Sequence, residues 1–287
     1  MMGDIYNKQL RALITQALNE DVGDGDHTSL STIPQGKKGQ AKLIIKEDGV
    51  LAGVKVALEV FNTVDSSLAV EVYLQDGALV KKGDVVLVVK GDVHAILIAE
   101  RLVLNLMQRM SGIATTTRHI VEALKGTDTK VLDTRKTTPG LRFLEKEAVR
   151  IGGGVNHRFG LYDMILIKDN HVDYAGGIGL ALTAAHDYIM RTGKNIAVEI
   201  EVRNLEELKE VIEFGKIDRI LLDNFDFKSL EEAVKLVKGR FITEASGGIV
   251  AANAKQYAEC GVDYISMGAL THSVKSLDMS LKAQLVN

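Results

Sequence analysis

Five side chains near the middle of this sequence, Arg135, Lys136, His157, Arg158 and Lys168, are of the types that bind carboxylates or phosphates. Arginine offers a planar fork for two parallel hydrogen bonds, and lysine a compact point charge. A second group is acidic: Glu199, Glu201 and Asp223. Glu199 and Glu201 are two apart in an apolar run, so on a strand both point to the same side. Carboxylates placed this way hold Mg2+ through water or accept hydrogen bonds from sugar hydroxyls. Their structural alternative is a salt-bridge network with the neighbouring cations, which weighs most for Glu199. The third group is Ser246-Gly247-Gly248 with Gly268, where backbone N–H groups could approach a phosphate closely. Together the three groups describe the chemistry of a phosphorylated sugar meeting an anionic partner.

Two nearby clusters read differently. Arg142, Lys146 and Arg150 recur at helical spacing beside Glu145 and Glu147, as a solvated helix face does. Gly152-Gly153-Gly154 serves equally as a phosphate cradle or as a tight turn before His157.

The elements that must position these residues follow from apolar periodicity. After about residue 113 the chain repeats strand, loop and helix, with strands expected at 130–132, 164–167, 196–202, 220–222, 241–243 and 263–267. Helical patterns at 205–214, 230–237 and 251–259 lie between several of them. Asp223 follows Glu201 by 22 residues and Glu244 follows Asp223 by 21, a near-regular spacing that points to parallel strands in a barrel or a doubly wound sheet. The strands end in Asp133-Thr134-Arg135-Lys136, Lys168-Asp169-Asn170-His171, Asp223-Asn224, Glu244-Ala245-Ser246-Gly247-Gly248 and Met267-Gly268-Ala269, and the third contains Glu199 and Glu201. Parallel strands bring such ends to one face, where an active site is expected. Before residue 113 the pattern is mixed: a helix over 4–20, strands at 41–46 and 69–74, turns and a strand over 75–90, and a long helix over 94–110 that ends near Ser111-Gly112.

The 287 residues suffice for one large domain or two modest ones, and a net charge of -3 supplies no basic field for nucleic acid. A lone Cys260 rules out an internal disulfide and thiolate-rich metal sites, and its place before an apolar strand predicts a buried thiol. Charges at Asp4, Lys8, Arg11, Glu20 and Asp21 interrupt any signal-peptide core, and no segment has the roughly 18 apolar residues of a membrane span, so the expectation is a cytoplasmic protein with no membrane or nucleic-acid partner.

From Asp133-Thr134-Arg135-Lys136-Thr137-Thr138-Pro139-Gly140 through Gly152-Gly153-Gly154-Val155-Asn156-His157-Arg158, the chain closely resembles the quinolinate phosphoribosyltransferases. The likeness continues at Leu166-Ile167-Lys168-Asp169-Asn170-His171, Glu199-Ile200-Glu201-Val202, Leu222-Asp223-Asn224-Phe225 and Glu244-Ala245-Ser246-Gly247-Gly248. It also takes in Glu20-Asp21-Val22-Gly23-Asp24-Gly25-Asp26 and Glu100-Arg101-Leu102-Val103-Leu104-Asn105, so it runs over almost the whole chain with no polar residue of the motifs missing.

The resemblance implies an N-terminal α/β sandwich domain over 1–112 and an open, TIM-like α/β barrel over 113–272, with the tail 273–287 returning to the first domain. It implies transfer of phosphoribosyl from phosphoribosyl pyrophosphate to quinolinate with decarboxylation, in a homodimer whose site is shared between subunits. By the same likeness Arg101 reaches the neighbour's site. Arg135, Lys136, His157, Arg158 and Lys168 form the pocket for the two quinolinate carboxylates, with Lys136 and Lys168 also near phosphoribosyl pyrophosphate, and Thr134 belongs to the substrate-binding set. Glu201 and Asp223 take the ribose hydroxyls and Mg2+, and Lys136, Lys168, Glu201 and Asp223 form the catalytic set. Ser246, Gly247, Gly248, Gly268 and His272 hold phosphate, and Met267 and Ala269 belong to the substrate-binding set. Three rivals stand beside this reading: a sibling transferase with another acceptor, a Schiff-base enzyme using Lys168, and a non-catalytic sensor of the same ligands.

Overall fold

The computed structural model describes residues 2–284. These form two compact units: residues up to 118, 138–153 and from 273 onward make the first, and residues 119–137 and 154–272 the second. Among the described residues no helix is long and apolar enough to cross a membrane.

The first unit is built on a four-stranded antiparallel sheet in the order β12-β1-β5-β3, with β1 at Lys38–Ile45, β3 at Ala69–Val72, β5 at Val85–Asp92 and β12 at Met279–Gln284. A two-stranded ribbon joins β2 (Gly49–Val50) to β4 (Leu79–Val80). On β1 the alternation of the pleat sends Ala41, Leu43 and Ile45 into the core. Helices α1 (Met2–Val22), α2 (His27–Thr32) and α3 (Val54–Val64) accompany the sheet. α3 buries Val56, Ala57, Val60 and Phe61, and its first N–H, at Val54, is capped by Asp76 Oδ1 at 2.8 Å.

Two expectations for this unit are corrected. Helix α4 runs over Val93–Ala123 and does not stop at Ser111-Gly112. The Ser111 hydroxyl donates to the Ala52 carbonyl and accepts the Ala52 N–H, so its polarity is satisfied across a packing interface, not by a turn. Gly112 lets the chain at Lys275 and Ser276 lie against the helix, where a Cβ would run into the Lys275 carbonyl. Helix α5 (Arg142–Ile151) likewise does not carry a fully solvated charged face: Glu145 and Lys146 are buried. Arg109 donates from Nε to Glu145 Oε1 at 2.8 Å, and the Thr138 N–H donates to Glu145 Oε2 at 3.1 Å. Arg150 keeps the expected exposure and pairs with Glu147. After α5, Gly152 presses on the Ala114 backbone and Gly153 takes φ +96°, so of the two readings of the triple glycine the turn holds for this pair.

The second unit is a six-stranded parallel sheet in the order β6-β11-β10-β9-β8-β7. The strands are β6 (Lys130–Leu132), β7 (Met164–Ile167), β8 (Ala197–Val202), β9 (Arg219–Asp223), β10 (Ile242–Ser246) and β11 (Tyr264–Ser266). Among the described residues no pairing joins β6 to β7, so this TIM-like sheet is open along that side. Helices α6 (Asp169–Ala175), α7 (Ile178–Thr192), α8 (Leu205–Phe214), α9 (Phe227–Val237), α10 (Ala254–Glu259) and α11 (Ala269–His272) follow β7 to β11. Asn204 and Asp226 cap α8 and α9 by accepting the N–H groups of Glu207 and Ser229. Cys260 caps the end of α10 half-buried, with its thiol on the Gln256 carbonyl, and is less enclosed than its apolar neighbourhood predicts.

Candidate active site

Strand register decides which side chains meet. Parallel pairing sets Glu199 beside Leu166 and Arg219, Glu201 beside Leu221, Glu244 beside Leu221 and Tyr264, and Ser246 beside Asp223. Side chains alternate along each strand, so these residues share one face while Val198, Ile200, Val202, Ile220 and Leu222 point to the other. Both faces are buried along β8, as parallel sheets require. An acidic and cationic interior is thus built into the fold by the register alone.

At the C-terminal ends of the strands this face opens into a pocket lined by Thr134, Arg135, Lys136, His157, Arg158, Leu166, Lys168, Leu221, Glu244, Ser246 and Ser266. The expected cationic group is therefore brought together. Buried Asp133, at the end of β6, sets its loop: Oδ1 accepts the His157 N–H at 2.8 Å and Oδ2 accepts from Asn156 Nδ2 at 2.6 Å. Arg158 donates from Nη1 to the Met164 carbonyl at 3.2 Å. Burial and the nearby Arg135 guanidinium push its pKa down, the mark of a site that stores positive charge for an anion.

Lys168 leaves β7 two residues after Leu166 and donates to Glu201 Oε2 at 2.9 Å. Burial, then the charge of Glu201, push the Asp223 carboxyl above its ordinary range. A carboxyl raised by burial and by a neighbouring carboxylate is suited to a cation or to sugar hydroxyls. Asn224 donates to Asp223 Oδ2 at 2.6 Å, holds φ +56°, and donates its N–H to the Ser246 carbonyl. That crossing requires Gly247, at φ +97°, since a Cβ there would run into the Asn224 side chain. Gly248 follows in the same left-handed region.

On the other side, Gly268 lacks the Cβ that would stand 2.9 Å from Lys136 Cδ and 3.0 Å from His272 Cδ2, so these two side chains close over it. The Met267 N–H bonds the Leu132 carbonyl, Ala269 opens α11, and Thr271 Oγ1 donates to the Lys136 carbonyl at 2.8 Å. Arg101 is an exposed residue of α4 in the first unit and does not line this pocket.

Glu244, Arg219 and Ser266 carried no role in the sequence reading, yet Glu244 and Ser266 line the pocket. The available signal was the spacing of Glu244 two residues before Ser246 on one strand face. Glu199 is wholly buried 3.1 Å from His157 Nε2, and Glu244 stands 3.4 Å from the same atom.

A parallel α/β sheet whose C-terminal edge gathers an anion pocket, a carboxylate pair and glycine loops is the arrangement of a phosphoribosyl-transferring enzyme. The comparisons narrow the class. Family models described as "Quinolinate phosphoribosyl transferase, N-terminal domain" and "C-terminal domain" match residues 26–111 and 113–282. The chain is 47% identical over 288 residues to "Quinolinate phosphoribosyltransferase [decarboxylating] 2, mitochondrial" of Nicotiana glauca, covering 95% of this chain and 82% of that protein. It is 43% identical to "Probable nicotinate-nucleotide pyrophosphorylase [carboxylating]" of Bacillus subtilis, covering 97% and 95%. The crystal structure of NadC from Streptococcus pyogenes superposes with a TM-score of 0.92 at 39% identity, covering 97% and 98%. The chain belongs to the quinolinate phosphoribosyltransferase family.

Proposed function

We infer that this protein transfers the phosphoribosyl group of phosphoribosyl pyrophosphate to the ring nitrogen of quinolinate, releasing pyrophosphate and CO2 and giving nicotinate mononucleotide for NAD biosynthesis. The observation that carries the reading is the pocket lined by Arg135, Lys136, His157 and Arg158 together with Lys168, which pairs with Glu201. A dicarboxylate fits the first group and a ribose the second.

The chemistry asked of the chain is electrostatic. Arg135 and Arg158 hold the two carboxylates and so fix the ring nitrogen in line with the ribosyl carbon. Glu201 and Asp223 stabilise positive charge growing on the ribosyl ring as its bond to pyrophosphate breaks. Lys136 and Lys168 draw the leaving pyrophosphate, and backbone N–H groups at Ser246, Gly247, Gly248, Gly268 and Ala269 receive phosphate oxygens, with Thr134, Met267 and His272 completing the wall. Once bonded to the sugar the ring nitrogen is positive, so it stabilises the electron pair left on the adjacent ring carbon when that carbon's carboxylate leaves as CO2, and the carbon then takes a proton from water. The Lys168–Glu201 ion pair favours charge stabilisation over Schiff-base chemistry.

The crowded Glu201 and Asp223 carboxylates fit a divalent cation, and they are the residues proposed to hold Mg2+. Bound there, Mg2+ would supply charge neutralisation for the pyrophosphate. A homodimer in which the partner subunit's Arg101 completes the quinolinate pocket belongs to the same proposal. So do the division at 1–112 and 113–272 with a returning tail, and residence in the cytoplasm, although the Nicotiana relative bears a mitochondrial name.

Quinolinate labelled with 13C in the carboxylate adjacent to nitrogen tests the reaction. Labelled CO2, pyrophosphate and nicotinate mononucleotide should appear in equal amounts and only when phosphoribosyl pyrophosphate is present. Labelled CO2 without nucleotide would instead describe a decarboxylase.

A further inference from the structure

Against the pocket lies a buried charged cluster of which the reaction above uses only His157. The His157 ring, whose side chain is 7% exposed, points Nε2 between Glu199 Oε2 at 3.1 Å and Glu244 Oε2 at 3.4 Å. Arg219 donates from Nη1 to Glu244 Oε2 at 3.1 Å, and its guanidinium lies 4.8 Å over the ring of Tyr264. Three of the ionisable groups come from β8, β9 and β10, and His157 comes from the segment between α5 and β7, held beside β6 by the Leu132–Val155 bridge. The atoms of His157, Glu199 and Glu244 lie within 4.8 Å of one another, close enough to share a cation. Arg219 already balances one carboxylate, so the cluster is neutral when one proton sits on the imidazole, with no metal required.

We propose that Glu244, backed by Arg219 and Glu199, is a positioning residue that clamps His157 as a fixed cation in the floor of the quinolinate pocket. The inference rests on the quinolinate reading for its use and on geometry for its existence. A lone imidazole in so enclosed a place would lose its proton, and its loop would be free to turn it away. Two carboxylates at Nε2 prevent the first, and the Asp133 bond to the His157 N–H prevents the second.

Burial pulls the His157 pKa down, but hydrogen bonding and charge from Glu199 and Glu244 more than offset this and raise it to about 9. The Arg158 N–H, 2.6 Å from Nδ1, favours the neutral ring. Burial raises the pKa of Glu199, whereas against the same burial the His157 bond and charge hold that of Glu244 down, so Glu244 is the acceptor that chiefly opposes this backbone dipole. The groups at the ring are Glu199 from β8, Glu244 from β10 with Arg219 from β9 behind it, and the Arg158 N–H at Nδ1, while Asp133 at the end of β6 holds the His157 backbone N–H.

The test is an NMR titration of His157 in the full-length protein, with its resonance assigned by loss in His157→Gln, alongside steady-state kinetics. In the wild type His157 should titrate near 9. In Glu244→Gln it should move toward the ordinary 6.5, and KM for quinolinate should rise about tenfold while KM for phosphoribosyl pyrophosphate moves less than about twofold. Arg219→Met, which leaves Glu244 with only the imidazole to balance it, should not lower the His157 midpoint, whereas general loosening would lower it in both variants. A wild-type His157 titrating at or below 6.5, or a Glu244→Gln protein with unchanged titration and KM, overturns the proposal; the wild-type titration decides even if the variants fail to fold. A cationic His157 in a protein that never turns over quinolinate would leave the clamp standing and remove the functional reading.

Discussion

Burial, and then the nearby Arg135 guanidinium, disfavour the charge of Arg158. Such an arrangement is strained without a ligand and relaxed by an anion, which makes it a better mark of binding than either arginine alone. Arg135→Ala should lower kcat/KM for quinolinate on the order of 100-fold, the scale of removing one partner of a desolvated charge pair. A near-wild-type value in a turnover assay would remove Arg135 from the pocket. At this scale the cations and the Glu201–Asp223 pair were legible because their types are costly to place at strand ends without a use. Glu244 was not legible. Its neighbours, Arg219 and His157, are 25 and 87 residues away and meet it only through strand register and the loop pinned by Asp133.

At the scale of elements, the strands of the second unit fall within a few residues of their expected positions, since buried parallel strands are short apolar runs ended by polar loops. Helix α4 shows where such reasoning fails: Ser111-Gly112 has the composition of a stop, but the small pair serves contact with Ala52 and Lys275. Local sequence cannot separate a glycine that ends a helix from one that admits a neighbouring backbone. The structure makes the distinction testable. Gly112→Ala improves helix propensity, yet the added methyl meets the Lys275 carbonyl and should destabilise the protein by about 1–3 kcal/mol. A rise in the thermal unfolding midpoint would show that the close approach does not constrain this helix. Glu145 and Lys146 teach the same lesson from the other side, as charges at solvated-helix spacing that prove buried, Glu145 against Arg109.

For the whole molecule, the second unit assembles the pocket from its own strand ends, while Arg101 belongs to the first unit. The proposed shared-site dimer accounts for Arg101 by bringing the partner subunit's Arg101 to the pocket. Arg101→Ala and Arg135→Ala proteins, each nearly inactive alone, should then regain activity when unfolded together and refolded. Each mixed dimer would hold one site free of both substitutions. No recovery from dimers shown to be mixed would mean that each chain completes its own site.

The most direct measurement is turnover of the purified protein with phosphoribosyl pyrophosphate and Mg2+, using quinolinate and nicotinate as parallel acceptors. The pocket geometry predicts nucleotide formation with quinolinate and none with nicotinate, which lacks the second carboxylate that Arg135 and Arg158 would share. Equal rates with both acceptors, or turnover of nicotinate alone, would contradict the assignment of this pocket to a dicarboxylate.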